Sequence, residues 1–124
     1  MGDEKIVGEF ALTLLHSVTN VRTHHWLIID KSNPQHQALG MYCDKMPALI
    51  DGLIESLMGD PADFIPEFPA DYYAPAANGI AEINDILQYV KENRHTISEE
   101  TDIQNQIDEM VTLIKKVRYL LRSP

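Results

Sequence analysis

The sequence is poor in several features that would place it in a special class of proteins. Its 124 residues include one cysteine, Cys43, so no internal disulfide can form and a reducing cytoplasm is the expected compartment. No apolar run approaches the ~20 residues that a membrane-spanning helix needs. The acidic start GDEK is not followed by the apolar core of a signal peptide. The sequence therefore predicts a chain with no membrane partner.

Basic residues are also scarce. The sequence has 10 Lys and Arg and 19 Asp and Glu, which give a formal net charge of −9. Proteins that bind nucleic acids draw much of their affinity from Lys and Arg side chains that neutralise phosphates. The one basic cluster, KKVRYLLR at 115–122, is interleaved with apolar residues. Cations near the C-terminal end of a helix have a simpler explanation in the helix dipole. Direct DNA binding is therefore not expected.

Helical periodicity is what the sequence has in abundance. Apolar residues recur every three or four positions in four segments, the pattern of amphipathic helices that face a core. Asn33 is expected to cap the second helix ahead of Pro34, and Pro47 is expected to kink or split it. The TISE sequence at 96–99 fits a capping box that would start the fourth helix. The expected helices cover about 3–29, 34–58, 79–93 and the stretch from that box to 122.

The longest interruption, at about 59–78, holds four prolines and no periodicity. It also carries four aromatic residues, which disordered linkers seldom do. We therefore expect a long crossover anchored by Phe64, Phe68, Tyr72 and Tyr73. Two helices, a long crossover and two more helices predict an all-α four-helix bundle that forms a single domain over 1–124.

Two adjacent histidines close the first helix in the sequence THHW at 23–26. The apolar stripe that includes Leu14 and Val21 reaches position 25 next, so His25 is expected to face the core. His24, turned by ~100°, is expected at the surface. Two interpretations of His25 remain open at this point. It is either a buried neutral histidine that donates to a backbone carbonyl, or a metal ligand.

Helix two carries a stripe of carboxylates, Asp44, Asp51 and Glu55, turned ~130–160° away from its apolar face. A solvated acidic face is the simple interpretation. However, no Lys or Arg stands four residues after Asp51 or Glu55 to offset the repulsion. The small residues Gly40 and Ala48 would also let another helix approach. A cation held by these carboxylates and by imidazole explains both features, and such a ligand set suits iron, manganese or zinc.

Taken in order, these elements resemble the Dps-like branch of the ferritin superfamily. The resemblance rests on His25-Trp26, a proline-containing break, His36, the DxxxE pair Asp51 and Glu55, and Gly59. TDIQNQIDEMVTLIKKVRYLL at 101–121 is similar to the last helix of that family. Short Dps-like proteins of bacteriophages and marine metagenomes are the most similar group. The resemblance implies a ferritin-like bundle of up-down helix pairs, in the cytoplasm of the host if the chain is phage-encoded.

The resemblance also implies a ferroxidase-type site at a dimer interface. His25 and His36 would bind metal from one subunit, and Asp51 and Glu55 from its mate. The site would oxidise Fe(II) with peroxide or dioxygen, or hold zinc or manganese. Trp26 would lie beside the metals, with Asp44 and His24 as further or supporting groups. The expected assembly is at least a dimer, and a dodecamer is the larger form.

Three alternatives stay open beside this hypothesis. The spacing between the two histidines is one residue shorter than is usual in the family, and another alignment puts Gly40 at the second histidine position. The chain could instead be a non-enzymatic helical interaction protein of phage origin that keeps only the ferritin-like fold. A divalent ion such as zinc could also act structurally, without redox chemistry.

Overall fold

The computed structural model describes residues 3–28 and 31–122, and all regular structure in that part of the chain is helical. The helices are α1 (Glu4–Leu27), α2 (Asn33–Gly59), α3 (Gly79–Ile97) and α4 (Thr101–Leu120). α1 packs against α2 and α3, and α4 packs against the same two helices. Each helix thus has two neighbours around one apolar core. The prediction of an all-α fold with four helices is confirmed.

The core consists of the apolar faces that the periodicity predicts. Every member of the apolar stripes of α2 and α4 is buried, namely Leu39, Met46, Ile50, Leu53 and Leu57 in α2, and Ile103, Ile107, Met110, Ile114, Val117 and Leu121 in and directly after α4. Burying one such side chain stabilises the fold by about 1.5–3 kcal/mol. The spacing of Ile80, Ile83 and Leu87 predicts an inward face for Ile80, but it is 43% exposed because it lies in the first turn of α3, at the end of the bundle. The largest fully buried side chains include Phe10, Leu14, Tyr42, Met46, Leu53, Ile83, Ile107, Met110 and Ile114.

The ends of α2 differ in detail from the sequence prediction. Ser32, one residue before Asn33, is the N-cap, and its hydroxyl accepts a hydrogen bond from the Gln35 amide at 3.3 Å. Pro47 does not split the helix, which runs unbroken to Gly59. A proline removes a single backbone donor. The buried side chains on either side of it, Met46 and Ile50, hold both halves of the helix against the core.

The boundary between α3 and α4 was predicted wrongly. α3 continues past the predicted end at about residue 93 to Ile97, so it has 19 residues. Thr96 lies inside it and its hydroxyl donates to the Asn93 carbonyl at 2.6 Å, instead of capping α4. α4 begins at Thr101 after Glu100. The extra turn of α3 buries Ile97, and this tertiary gain outweighs the local capping signal.

The segment 60–78 follows α1 along most of its length. Near the start of α1 the Glu67 amide donates to the Glu4 carbonyl at 2.9 Å. Near its end the Asn20 side chain donates to the Tyr73 carbonyl at 3.2 Å and accepts from the Tyr72 hydroxyl. Of the four expected aromatic anchors, Phe64 and Tyr73 are half-buried, whereas Phe68 and Tyr72 remain exposed.

Gly8 is the point of closest approach between this segment and α1. A Cβ at residue 8 would overlap the carbonyl group of Glu67. Gly8→Ala should therefore lower the free energy of unfolding by about 1–3 kcal/mol, as overpacking does elsewhere. Urea denaturation measures the loss. The matched control is Gly59→Ala, where an added Cβ meets nothing within 4 Å. An equal loss in both variants would contradict the close approach.

No helix among the described residues is both long enough and apolar enough to cross a lipid bilayer.

Candidate functional site

The end of α1 and the start of α2 bring His25 and His36 together. His25 lies in the last turn of α1, and His36 lies in the first turn of α2. Their imidazole rings stack, with centroids 3.7 Å apart and planes inclined by 12°. Both side chains are half-buried. The two histidines that were expected to bind metal from one chain are therefore neighbours in space.

Each of these imidazoles is held by the backbone of the other residue. His25 Nδ1 lies 2.6 Å from the His36 carbonyl oxygen, and His36 Nδ1 lies 2.6 Å from the His25 carbonyl oxygen. A carbonyl oxygen can only accept, so both Nδ1 atoms carry the hydrogen. Nε2 is then the nitrogen left on each ring for a metal. Metal-binding histidines usually donate their other N–H in this way.

The same hydrogen bonds also match the simple interpretation of His25, a histidine that donates to a backbone carbonyl. Gly40, one turn beyond His36 on α2, leaves room for the His25 ring. A Cβ at residue 40 would lie 2.9 Å from His25 Cε1. Gly40 therefore supplies space for the imidazole, while His36 supplies the second ring.

The predicted carboxylate ligands lie far from this pair in the same chain. Asp51 and Glu55 follow His36 by 15 and 19 residues along α2. A helix rises 1.5 Å per residue, which separates them from His36 by about 22 and 28 Å. Within residues 3–28 and 31–122 no group of three or more His, Cys, Asp or Glu side chains is placed to hold a metal ion. The histidines and the carboxylates do not meet within one chain.

The supporting residues of the predicted site also lie apart. Asp44 is exposed and pairs with Arg22 on α1, with 3.9 Å between Oδ1 and the guanidinium nitrogen. Trp26, expected beside the metals, is 63% exposed at the end of α1. Neither has a described contact with His25 or His36.

His24 was expected at the surface, and this prediction is wrong. It is 8% exposed, and its Nε2 lies 3.2 Å from Oε1 of Glu82, which is 1% exposed. α1 borders both α2 and α3. Residues that are adjacent in a helix point ~100° apart, so His25 faces α2 while His24 faces α3. Ser17 and Asn20 are fully buried on α1 as well, which shows how wide its inward face is.

Glu82 is a buried residue that the sequence reasoning missed. Besides His24, its Oε1 accepts the Ala76 N–H at 2.8 Å. Burial together with the Glu82 charge raises the pKa of Tyr73. One signal could have found it. Glu82 precedes the buried Ile86 by four residues, so both lie on the same face of α3.

Cys43 is not a candidate ligand. It is buried, and its thiol donates to the Val18 carbonyl at 3.7 Å. Burial raises the pKa of this thiol to about 11. The thiolate that binds metals is therefore scarce at neutral pH.

One protein-family model, described as a family of unknown function (DUF5856), matches residues 30–121. The matched range includes His36, Asp51 and Glu55 and begins after His25. Neither the curated proteins nor the solved structures include a significant match to the chain.

Proposed function

The chain belongs to the DUF5856 family, and we propose that it binds a transition metal at a site shared by two copies of the chain. His25 and His36 of one copy and Asp51 and Glu55 of the other supply the ligands. Imidazole with carboxylate suits iron, and also manganese or zinc. Fe(II) is the proposed substrate, oxidised to Fe(III) by peroxide or dioxygen in the cytoplasm.

The reciprocal hydrogen bonds of His25 and His36 carry this proposal. A histidine that ligates a metal needs a fixed ring and a defined tautomer, and a hydrogen bond from its other nitrogen provides both. Here each ring is oriented by a backbone carbonyl at 2.6 Å. The two rings are thus organised for coordination through Nε2 by the polypeptide alone.

The state of the carboxylates supports a site that is completed by a second chain. Asp51 and Glu55 are exposed on α2, and neither makes a hydrogen bond or an ion pair within the described residues. Ala48, which lies between Asp44 and Asp51 on α2, is exposed and has a small side chain, so another helix can approach closely there. A metal cation that is also bound by the histidines of a second copy would offset the negative charges of Asp51 and Glu55.

The path of the chain supports a ferritin-like bundle. A Cβ at Gly79, which begins α3, would lie 2.9 Å from Leu39 near the start of α2. His24 at the end of α1 bonds Glu82 in the first turn of α3. α2 and α3 thus start at the same end of the bundle, and the segment 60–78 returns along α1. This is the connection expected of up-down pairs joined by a crossover. We propose a homodimer as the smallest assembly and a dodecamer as the larger one.

A non-enzymatic helical interaction protein is the second candidate. The observation in its favour is that His25 and His36 already join the end of α1 to the start of α2 through their own hydrogen bonds. Such a clamp would stabilise the turn without any metal. It predicts that chelators and added metals leave the protein unchanged.

Loading the purified chain with Fe(II) under anaerobic conditions, or with Zn(II), tests the proposal. We expect one or two ions per chain and an anomalous-scattering peak within coordinating distance of His25 Nε2. His36→Ala should abolish both. Fe(II) with peroxide should then raise the near-UV absorbance. Metal that raises thermal stability without this absorbance change would indicate a structural zinc site instead.

The matched control is His95→Ala. His95 is an exposed histidine that bonds Glu99 at 2.9 Å, so its loss should leave the metal content unchanged. Metal content that survives His36→Ala, or that falls equally in both variants, would contradict the proposed ligands.

A further inference from the structure

A second candidate binding site lies on the other side of α1. A cavity of about 380 Å³ opens between α1, α3 and the segment 60–78. Glu82, Asp85 and Tyr89 line it from α3, Tyr73 lines it from the segment 60–78, and Thr13 lines it from α1. Its volume lies within the range of about 300–1,000 Å³ that small-molecule sites occupy.

The charged side chains that line this cavity are all acidic. Its lining contains two carboxylates, Glu82 and Asp85, and no Lys, Arg or His among the described residues. Glu82 is almost completely buried, and its described hydrogen bonds are with His24 Nε2 and the Ala76 N–H. No Lys or Arg of the described residues pairs with it or with Asp85. An anion would be repelled from the cavity, and a cation attracted.

Two tyrosines give the cavity a fixed aromatic surface. Phe10 stacks on Tyr89 with ring centroids 5.7 Å apart, and Tyr72 stacks on Tyr73 at 6.4 Å. Both side chains are half-buried, and burial raises the pKa of both hydroxyls, so both stay uncharged at neutral pH. The aromatic surface of the two rings favours organic cations over hydrated ions.

We propose that this cavity binds a small organic cation, a primary ammonium group carried on a short apolar chain. The ammonium hydrogens donate to the carboxylates of Glu82 and Asp85, and the apolar chain lies against the tyrosines and Ile86. A metal ion fits less well, because the described residues offer no third ligand beside these two carboxylates. None of these residues belongs to the proposed metal site, so the two proposals stand or fall separately.

Titration of the ¹⁵N-labelled full chain with n-butylammonium chloride tests this proposal by NMR. We expect saturable shifts at the amides of Ala76, Glu82 and Asp85. 1-Butanol, which has a similar shape without the charge, should bind at least about tenfold more weakly, as expected for loss of a charged hydrogen bond worth about 1.5–3 kcal/mol. Butyrate should not bind. Equal affinity for butylammonium and 1-butanol would overturn the proposal.

Variants of the two carboxylates make the test specific. Asp85→Asn removes an exposed charge and should weaken butylammonium binding about threefold, and Glu82→Gln should weaken it at least about tenfold. Glu92→Gln is the control on the same helix, because Glu92 is exposed and its one hydrogen bond among the described residues is with Gln88. Equal weakening by Glu92→Gln and Asp85→Asn would show a general charge effect and overturn the proposal. Mn(II) that competes with butylammonium at these amides would overturn it as well.

Discussion

Mixing two inactive variants should restore about a quarter of the wild-type metal sites. One variant carries His25→Ala and His36→Ala, and the other carries Asp51→Asn and Glu55→Gln. In a symmetric dimer each site takes histidines from one copy and carboxylates from the other. A mixed dimer then has one complete site and one that lacks all four ligands. Since random exchange makes half of the dimers mixed, about one site in four returns.

The measurement is Zn(II) bound, or Fe(II) oxidised, per chain after the variants are unfolded and refolded together. Each variant refolded alone should bind essentially nothing. A control mixture of wild type with a chain that carries all four substitutions reports on exchange. It should keep about a quarter of the sites if they are shared, because only dimers of two wild-type copies are complete. Retention of about half, with no recovery in the first mixture, would put all ligands in one chain.

Local periodicity was sufficient for most of the fold. The stripes on α2 and α4 repeat every three or four residues, and each repeat buries the same face, so the burial of Met46 or Ile107 follows from spacing alone. The end of α3 did not follow, because Ile97 is buried by contacts across the bundle that no local pattern reports. A capping signal worth about 1 kcal/mol loses to such a contact.

The candidate site and its surroundings likewise contain one contact that the sequence could predict and one that it could not. The proximity of His25 and His36 could be predicted, since only five residues separate the two helix ends that carry them. The partner of His24 could not, because Glu82 lies 58 residues later and depends on which helix packs beside α1. Periodicity gives the direction of a side chain in its own helix, but not the neighbour that it meets.

The structural role of two glycines was also not predicted from the sequence. Gly40 and Gly8 lie within continuous helices, where glycine costs about 1 kcal/mol. The sequence alone offered no specific reason for either glycine beyond the approach of another helix at Gly40. The structure supplies one for each. Gly40 leaves room for the His25 ring, and Gly8 leaves room for the backbone of the segment 60–78. Such close approaches exist only between elements that are distant in sequence, so the glycines by themselves do not reveal them.

His24→Leu should be among the most destabilising single substitutions in the chain, with a loss of about 3 kcal/mol in the free energy of unfolding. It leaves Glu82, which is 1% exposed, with one hydrogen-bond donor fewer. Glu82→Gln should cost less, about 1 kcal/mol, because the amide oxygen still accepts from His24 and Ala76. Urea denaturation of the two variants at neutral pH measures the difference.

Two controls separate the loss of this pair from the loss of a histidine as such. His95→Leu breaks an exposed pair with Glu99 and should change stability little. The double variant His24→Leu with Glu82→Leu replaces the pair by apolar side chains, so it should recover most of the loss. Equal losses for His24→Leu and His95→Leu would contradict a buried pair. The His25 carbonyl that orients His36 follows directly on His24. We therefore also expect His24→Leu to weaken metal binding.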